Sequence, residues 1–214
     1  MYLSRVQVDP VHRGAQRLLG SAQAMHAAVL GAFDTVEMDQ SRVLWRVDTD
    51  ARGVFLYTVS QAEPNFAGFL AQIGSSSSSQ GWSCRDYDPL LQRLKDGQQW
   101  AFRLTANPSF ADPAHGGKRF GNVTVAQQEQ WLLRRSERCG FEVCQHDDSI
   151  DLVVKDRRLD KFNRGGRIVT ISKATYDGLL RVVNVERLRE AMVTGIGHAK
   201  AYGCGLLTLA PVMQ

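Results

Sequence analysis

The chain repeats one order of strand and helix signals twice, and this repetition limits the folds open to it. In the first half, alternating apolar residues predict a strand at residues 2–8 and two strands, at residues 43–47 and 54–60, joined by a turn-rich hairpin. Helical apolar spacing predicts a helix at residues 11–33, broken near Gly20-Ser21, and a short helix at residues 65–73. The serine run at residues 75–79 interrupts both periodicities, so we expect a flexible loop there.

The second half begins with a strand pattern at residues 99–105 and a helix that starts at Thr124 and ends at Gly140. Strands are then predicted at residues 141–144, 150–157, 166–173 and 179–183. A helix at residues 185–193 and a last strand at residues 203–209 follow. This order suits an α+β fold of two tandem ferredoxin-like, RRM-like β-α-β-β-α-β domains. We expect the N-terminal domain to span residues 1–90 and the C-terminal domain residues 91–214.

A glycine-rich segment separates the last helix from the last strand. Four glycines, with Lys200 between the two pairs, stand at positions Gly195, Gly197, Gly203 and Gly205. Glycines let the backbone approach a ligand closely and turn its N–H groups toward phosphates. A Walker loop or a dinucleotide fingerprint would instead follow a strand and open a helix. The segment therefore predicts a polyanion-binding loop of another kind.

Bulk composition permits an anionic partner without requiring one. Lysine and arginine total 26 against 22 aspartate and glutamate residues, a formal net charge of +4. No leader-like or membrane-spanning apolar run is evident, so we expect a cytoplasmic protein with no membrane partner. The four cysteines form no Cys-x-x-Cys pair, which indicates neither a zinc site nor a disulfide framework. No cofactor is expected.

Three motifs together resemble one protein family. Gly-x-Gly-x-x-Lys followed by Tyr-Gly-x-Gly, between a helix and a final strand, resembles the C-terminal loop of the repeat-associated RNA-binding proteins of CRISPR systems. Met25-His26 on an early helix and Gly117-Lys118-Arg119-Phe120 past the middle narrow the resemblance to the CasE endoribonucleases of type I-E systems. The resemblance implies a metal-independent endoribonuclease that cuts precursor CRISPR RNA within the repeat hairpin and stays in the Cascade complex. The implied partners are the repeat stem-loop, mature crRNA and other Cascade subunits.

His26 is the candidate catalytic residue. From composition alone it is a histidine on a core helix, but the resembling family carries its essential histidine on the first helix at this distance from the start. Imidazole titrates near neutral pH, so it can remove the 2′-hydroxyl proton or protonate the departing 5′-oxygen. Relatives often have a tyrosine three residues earlier, where this chain has Gln23. We assign Gln23 only a positioning role, and the acid and base roles stay open.

RNA contacts are expected from two basic segments besides the glycine loop. Residues 155–167 carry six cations around a glycine turn, which by itself is typical of a charged hairpin tip. In the resembling family a basic hairpin of the second domain enters the groove of the RNA stem. This implies contacts from Arg157, Arg158, Lys161 and Arg164, with Lys118 and Arg119 adding backbone contacts. Arginine suits both phosphate and guanine because its planar fork binds each bidentately.

Two other functions stay open at this point. A non-catalytic subunit could use the same double fold to cap a guide RNA, and a small-molecule enzyme could use a ferredoxin-like scaffold, since that fold hosts many chemistries. A metallonuclease would need clustered carboxylates, and the only candidates are Asp147-Asp148 with Asp151. We interpret that cluster as a solvated hairpin turn.

Overall fold

The computed structural model of the protein describes residues 1–33, 42–74, 81–147 and 149–212. The expected serine loop at residues 75–79 lies outside these ranges, as does Asp148. The chain divides into two compact units, which are Met1–Arg93 with Lys200–Leu206, and Leu94–Ala199 with Leu207–Gln214. No described helix combines the length and apolar character needed to cross a bilayer.

The first unit is a four-stranded antiparallel sheet with helices packed against it. Its elements are β1 (Tyr2–Val8), α1 (Arg13–Leu19), α2 (Ala22–Leu30), β2 (Leu44–Asp50), β3 (Gly53–Ser60), α3 (Ala67–Gln72), β4 (Trp82–Asp86) and α4 (Asp88–Arg93). The strand order is β2-β3-β1-β4. Apolar side chains of β1 and β3, such as Val6 and Leu56, form the core with Met25 and Val29 of α2 and Phe69 of α3.

The second unit repeats that arrangement and adds two small hairpins. Its elements are β5 (Gln99–Ala106), β6 (Ser109–Asp112), β7 (Lys118–Gly121), α5 (Val125–Ser136), β8 (Phe141–Val143), β9 (Gln145–His146), β10 (Ser149–Ile150), β11 (Leu152–Arg164), β12 (Arg167–Val182), α6 (Val185–Thr194) and β13 (Leu207–Ala210). The main sheet has the order β11-β12-β5-β13, with β8 paired to β12. The tandem ferredoxin-like fold predicted from the sequence is therefore confirmed.

Helix boundaries follow the local capping chemistry. The first helical segment breaks at Gly20-Ser21 as predicted, because Gly20 ends α1 and the Ser21 hydroxyl accepts from Ala24 N at 3.2 Å to begin α2. Thr124 begins α5 with a capping box whose partner is Gln127. Gly140 has φ 78°, the left-handed conformation predicted for the residue that ends this helical region.

Three strand predictions were wrong or incomplete. The two strands expected at residues 166–173 and 179–183 are one strand, β12, because residues 174–176 are buried and mask the alternation. The last strand starts at Leu207 rather than 203, since Gly203 and Gly205 have φ of 78° and 95°. Strands β4, β6 and β7 were missed because each is short and largely polar.

Candidate functional site

Helix α2 places His26 at the border between a buried and an exposed face. Met25, one position earlier, lies in the core of the first unit, whereas Ala27, one position later, is exposed. The His26 ring is half-buried, with its Nδ1 atom inside. Gln23 is exposed one turn earlier on the same side of the helix. The Nδ1 side of the imidazole is thus enclosed within the unit while part of the residue reaches the surface.

The second half of the glycine-rich segment belongs to the same unit as His26. Residues Lys200–Tyr202 form a short 3-10 turn that packs against α2. The structure thereby brings together the candidate catalytic helix and the turn that carries the candidate phosphate ligand, Lys200. Sequence reasoning named both residues but gave no reason to place them side by side, because 174 positions separate them along the chain.

Gly203 makes the close approach that only glycine permits. An added Cβ would lie 2.7 Å from the ring of Trp45 on strand β2, and the residue has φ 78°. Both Gly203 and Gly205 are buried. In this structure these two glycines pack the segment against the first unit, and the prediction that they bind RNA remains a prediction.

Arg46 holds the end of this segment, a function that sequence reasoning missed. Its guanidinium donates to Asp48 through Nε at 2.6 Å and Nη2 at 2.9 Å, and to the Leu206 carbonyl through Nη1 at 2.9 Å. The side chains of Arg46 and Asp48 are only 2% and 8% exposed. Two charged residues at alternate positions of a strand predict a solvent face. The hydrogen bond from Arg46 to the distant Leu206 carbonyl explains why Arg46 and Asp48 are buried instead.

The glycine-rich segment contacts strand β2 of the first unit at two points. Trp45 and Arg46 are consecutive residues on that strand, so their side chains point to opposite faces. Gly203 contacts Trp45, and the Leu206 carbonyl accepts from Arg46. Strand β2 is an edge strand of the sheet, and two of its consecutive residues thus hold the segment. This clamp fixes the backbone that follows Lys200.

The first half of the glycine-rich segment belongs to the second unit. Gly195 ends α6 with φ 80°, and its N–H donates to the Ala191 carbonyl at 2.9 Å. Gly197 lies against Trp131 of α5, where an added Cβ would be 3.0 Å from the ring. The four glycines singled out by the sequence thus serve two units, one pair in each.

The basic hairpin predicted to bind RNA is the long hairpin of β11 and β12. Its strands pair as far as Arg164 and Arg167, which leaves Gly165 and Gly166 as a two-residue turn with φ of 57° and 78°. Lys161 is exposed near this tip. The structure describes the backbone of Arg164 but not its side chain.

A bulge at the base of this hairpin redirects one candidate arginine. The register shifts between Lys155 and Arg158, and Asp156 there has φ 48°. Arg157 donates to Gln128 Oε1 of α5 at 2.9 Å and to a backbone carbonyl just before that helix. Arg158 remains exposed on the strand. Both arginines are thus exposed, Arg157 bonded to α5 and Arg158 paired with Asp160 at 3.3 Å on its own strand.

Lys118 and Arg119 lie on strand β7 of the small β6–β7 hairpin, and both are exposed. The Lys118 ammonium is 5.6 Å from the centroid of the Phe120 ring. Arg119 makes long hydrogen bonds of 3.4 Å to the hydroxyl and the carbonyl of Ser109. Both side chains are therefore only loosely held by the protein itself.

The acidic cluster lies on the β9–β10 hairpin, where Asp147 has φ 51° and His146 pairs with Asp151 at 3.2 Å. Within the described ranges, no group of three His, Cys, Asp or Glu side chains could hold a metal ion. Cys84, Cys139, Cys144 and Cys204 form no disulfide. Burial raises the pKa of the Cys84 and Cys144 thiols, which disfavours the reactive thiolate.

Comparison with known proteins gives a consistent result along the whole chain. The family model described as CRISPR associated protein matches residues 1–211. The CRISPR-associated endoribonuclease Cse3 of Thermus thermophilus is 29% identical over 221 residues, covering 99% of this chain and 100% of that protein. The Cascade subunit CasE of Escherichia coli K12 is 29% identical over 130 residues, or 56% of this chain and 62% of that protein. A structure of Cse3 bound to a 19-nucleotide RNA has a TM-score of 0.82 and 27% identity, covering 99% of this chain and 100% of that one.

Proposed function

This chain belongs to the CRISPR-associated protein family, on the branch of the Cse3 and CasE endoribonucleases, and we propose that it cuts precursor CRISPR RNA within each repeat hairpin. The observation that carries the proposal is the full-length match to an endoribonuclease whose structure holds RNA. The packing of the Lys200–Tyr202 turn against the helix of His26 supports it. The enzyme would keep its hairpin product, work in the cytoplasm and join the Cascade complex in antiviral defence.

The reaction needs no metal in this proposal. The 2′-hydroxyl oxygen attacks the adjacent phosphorus in line with the departing 5′-oxygen, the P–O5′ bond breaks, and the products carry a 2′,3′-cyclic phosphate and a 5′-hydroxyl. One group must take the proton from the 2′-hydroxyl and one must give a proton to the 5′-oxygen. His26, half-exposed on α2, supplies one of these transfers, and Lys200 would stabilise charge on the phosphate.

Recognition of the RNA rests on shape and charge. An A-form stem hides its base edges in a deep, narrow groove, so backbone contacts dominate. Arg158, Lys161 and Arg164 on the long hairpin, with Lys118 and Arg119 on the small one, supply cations for phosphates or guanine edges. Arg157, which is also exposed, belongs to the same RNA-binding surface and in addition holds β11 to α5. Binding should therefore weaken steeply as salt rises.

A second function has one observation in its favour. Gln23 stands where relatives often have a tyrosine, and an amide cannot donate a proton as a phenol does. A non-catalytic subunit that caps a guide RNA would tolerate that change. In such a protein His26 would have only a structural role on α2.

Cleavage of an end-labelled repeat hairpin in EDTA separates the two functions. We expect wild-type protein to cut the RNA in chelator, and a single 2′-deoxy substitution at the cut site to stop the reaction. His26→Ala should abolish cleavage while keeping RNA affinity. His12→Ala is the matched control, because His12 is an exposed histidine of the same unit. Tight binding by the wild type without cleavage would establish the cap, and cleavage that needs magnesium would overturn the mechanism.

A further inference from the structure

Arg135 of α5 lies on an aromatic platform beside the glycine-rich segment. Its Cζ is 4.6 Å from the centroid of the Trp131 ring, one helical turn earlier. The same indole contacts Gly197 and stacks with Tyr176 at 6.1 Å between centroids, with an interplanar angle of 19°. These contacts fix the plane of the guanidinium and place it next to the first half of the segment.

The chain offers this guanidinium no acceptor in the part that the structure describes. Its Nε atom is buried without a hydrogen bond, and neither a carboxylate nor a carbonyl of the described residues accepts from its Nη atoms. The Nη atoms are not among the fully buried ones, so they can still be reached from solvent. A partly desolvated donor without an acceptor is unfavourable. An acceptor from outside the chain would therefore stabilise Arg135.

The charges around Arg135 favour an anion as that acceptor. Burial, followed by the positive charge of Arg119, lowers the pKa of the Arg135 guanidinium, and the charge of Arg138 acts in the same direction. The group nevertheless stays protonated at neutral pH, because arginine does not lose its proton in proteins. Like charges repel one another, and a bound anion reduces that repulsion.

The β6–β7 hairpin that carries Arg119 lies close to β12, the strand of Tyr176. Gly121, at the end of β7, approaches Ser172 so closely that an added Cβ would lie 2.7 Å from the serine Cβ. Arg119 is exposed, and its hydrogen bonds to Ser109 are long, at 3.4 Å. It can therefore turn toward a ligand at little cost.

We propose that Arg135 and Arg119 form a binding site for a backbone phosphate of RNA, with Trp131 as the platform that orients Arg135. This inference rests on the proposed function for the identity of the anion. The planar fork of Arg135 suits two oxygens of one phosphate, and the nearby charge of Arg119 adds to the attraction. Because Trp131 also contacts Gly197, a phosphate held here would lie beside the glycine-rich segment.

The site can be tested without RNA. In 15N-labelled protein, the Arg135 Nε–Hε resonance is assigned by its loss in Arg135→Lys, and inorganic phosphate is then added. We expect this resonance to shift with saturation, whereas that of Arg134, an exposed neighbour on α5, shifts little. An unchanged Arg135 resonance, or equal linear shifts of both, would overturn the site.

A second experiment uses a repeat hairpin carrying a 2′-deoxy substitution at the cut site, so that affinity is measured without cleavage. We expect Arg135→Gln to weaken binding about tenfold and to reduce the slope of log Kd against log salt by roughly one. Arg135→Lys should keep the wild-type slope but only part of the affinity, because lysine keeps the charge and lacks the planar guanidinium. Equal losses in Arg134→Gln and Arg135→Gln, or an unchanged slope, would refute the inference. Failure of the wild type to cleave natural RNA would remove the proposed endoribonuclease activity and leave this result intact.

Discussion

Replacing Arg46 by methionine should destabilise the first unit far more than an ordinary surface charge change. The substitution keeps most of the side-chain volume but removes the hydrogen bonds to Asp48 and to the Leu206 carbonyl. It leaves the Asp48 carboxylate buried without its cation. Breaking a buried pair in this way costs about 3–5 kcal/mol of unfolding free energy.

Urea denaturation measures this cost, with fluorescence and far-UV circular dichroism required to give coincident transitions. The matched control is Arg52→Met on the same hairpin, because Arg52 also bonds the aspartate two positions away, with Nη2 at 2.8 Å from Asp50, but its side chain is 77% exposed. We expect that control to cost less than about 1 kcal/mol.

A paired variant tests the physical reason for the loss. In Arg46→Met with Asp48→Leu the stranded carboxylate is gone, so most of the lost stability should return. A residual loss of about 1–3 kcal/mol is expected, because the Leu206 carbonyl still lacks its donor. The reasoning is refuted if Arg46→Met costs no more than the Arg52 control, or if the paired variant is no more stable than the single one.

Two further predictions concern other parts of the fold. Burial raises the pKa of Asp177, but hydrogen bonds and charges from Arg103 and Lys155 outweigh burial and lower the pKa below 3.8. The Asp177 carboxylate therefore stabilises the fold above that pH, and this stabilisation is lost as pH falls through the folded pKa. Asp177→Asn should flatten the decline of unfolding free energy with acid below about pH 4, and an unchanged acid profile would contradict this. Gly203→Ala should lower the unfolding free energy by about 1–3 kcal/mol, through backbone strain and contact with the Trp45 indole, and so lower Tm. In the control Gly68→Ala, the added methyl meets nothing within 4 Å, so Tm should stay unchanged or rise.

Local signals predicted most of the regular structure. The break at Gly20-Ser21, the start of α5 at Thr124 and the left-handed Gly140 each depend on one or two neighbouring side chains. Strand β12 was divided in two because its middle is buried on both faces, and a strand buried on both faces loses the alternation that reveals it. The polar strand β4 was missed since its place at the sheet edge needs little apolar surface.

The candidate site was predicted in parts. Sequence reasoning named His26 and Lys200 separately, and the structure packs the helix of one against the turn of the other. Its assignment of Arg157 to RNA stays a prediction, and the structure adds that this exposed side chain also donates to Gln128. It did not name Arg135, because an arginine near the end of an amphipathic helix is indistinguishable from other solvated charges until its neighbours are known.

By itself the sequence determined the two β-α-β-β-α-β orders, the helix ends and the glycine positions, since periodicity, capping and backbone conformation are set within a few residues. Only the tertiary structure decided that Arg46 and Asp48 are buried, that the glycine-rich segment contacts Trp45 and Arg46 of β2, and that Arg135 lies between Trp131 and solvent. The physical reason is that a charge is stable inside a protein only with a partner of fixed geometry. Here those partners are a backbone carbonyl 160 residues away and an indole that contacts the glycine-rich segment, and no local pattern encodes such distant neighbours.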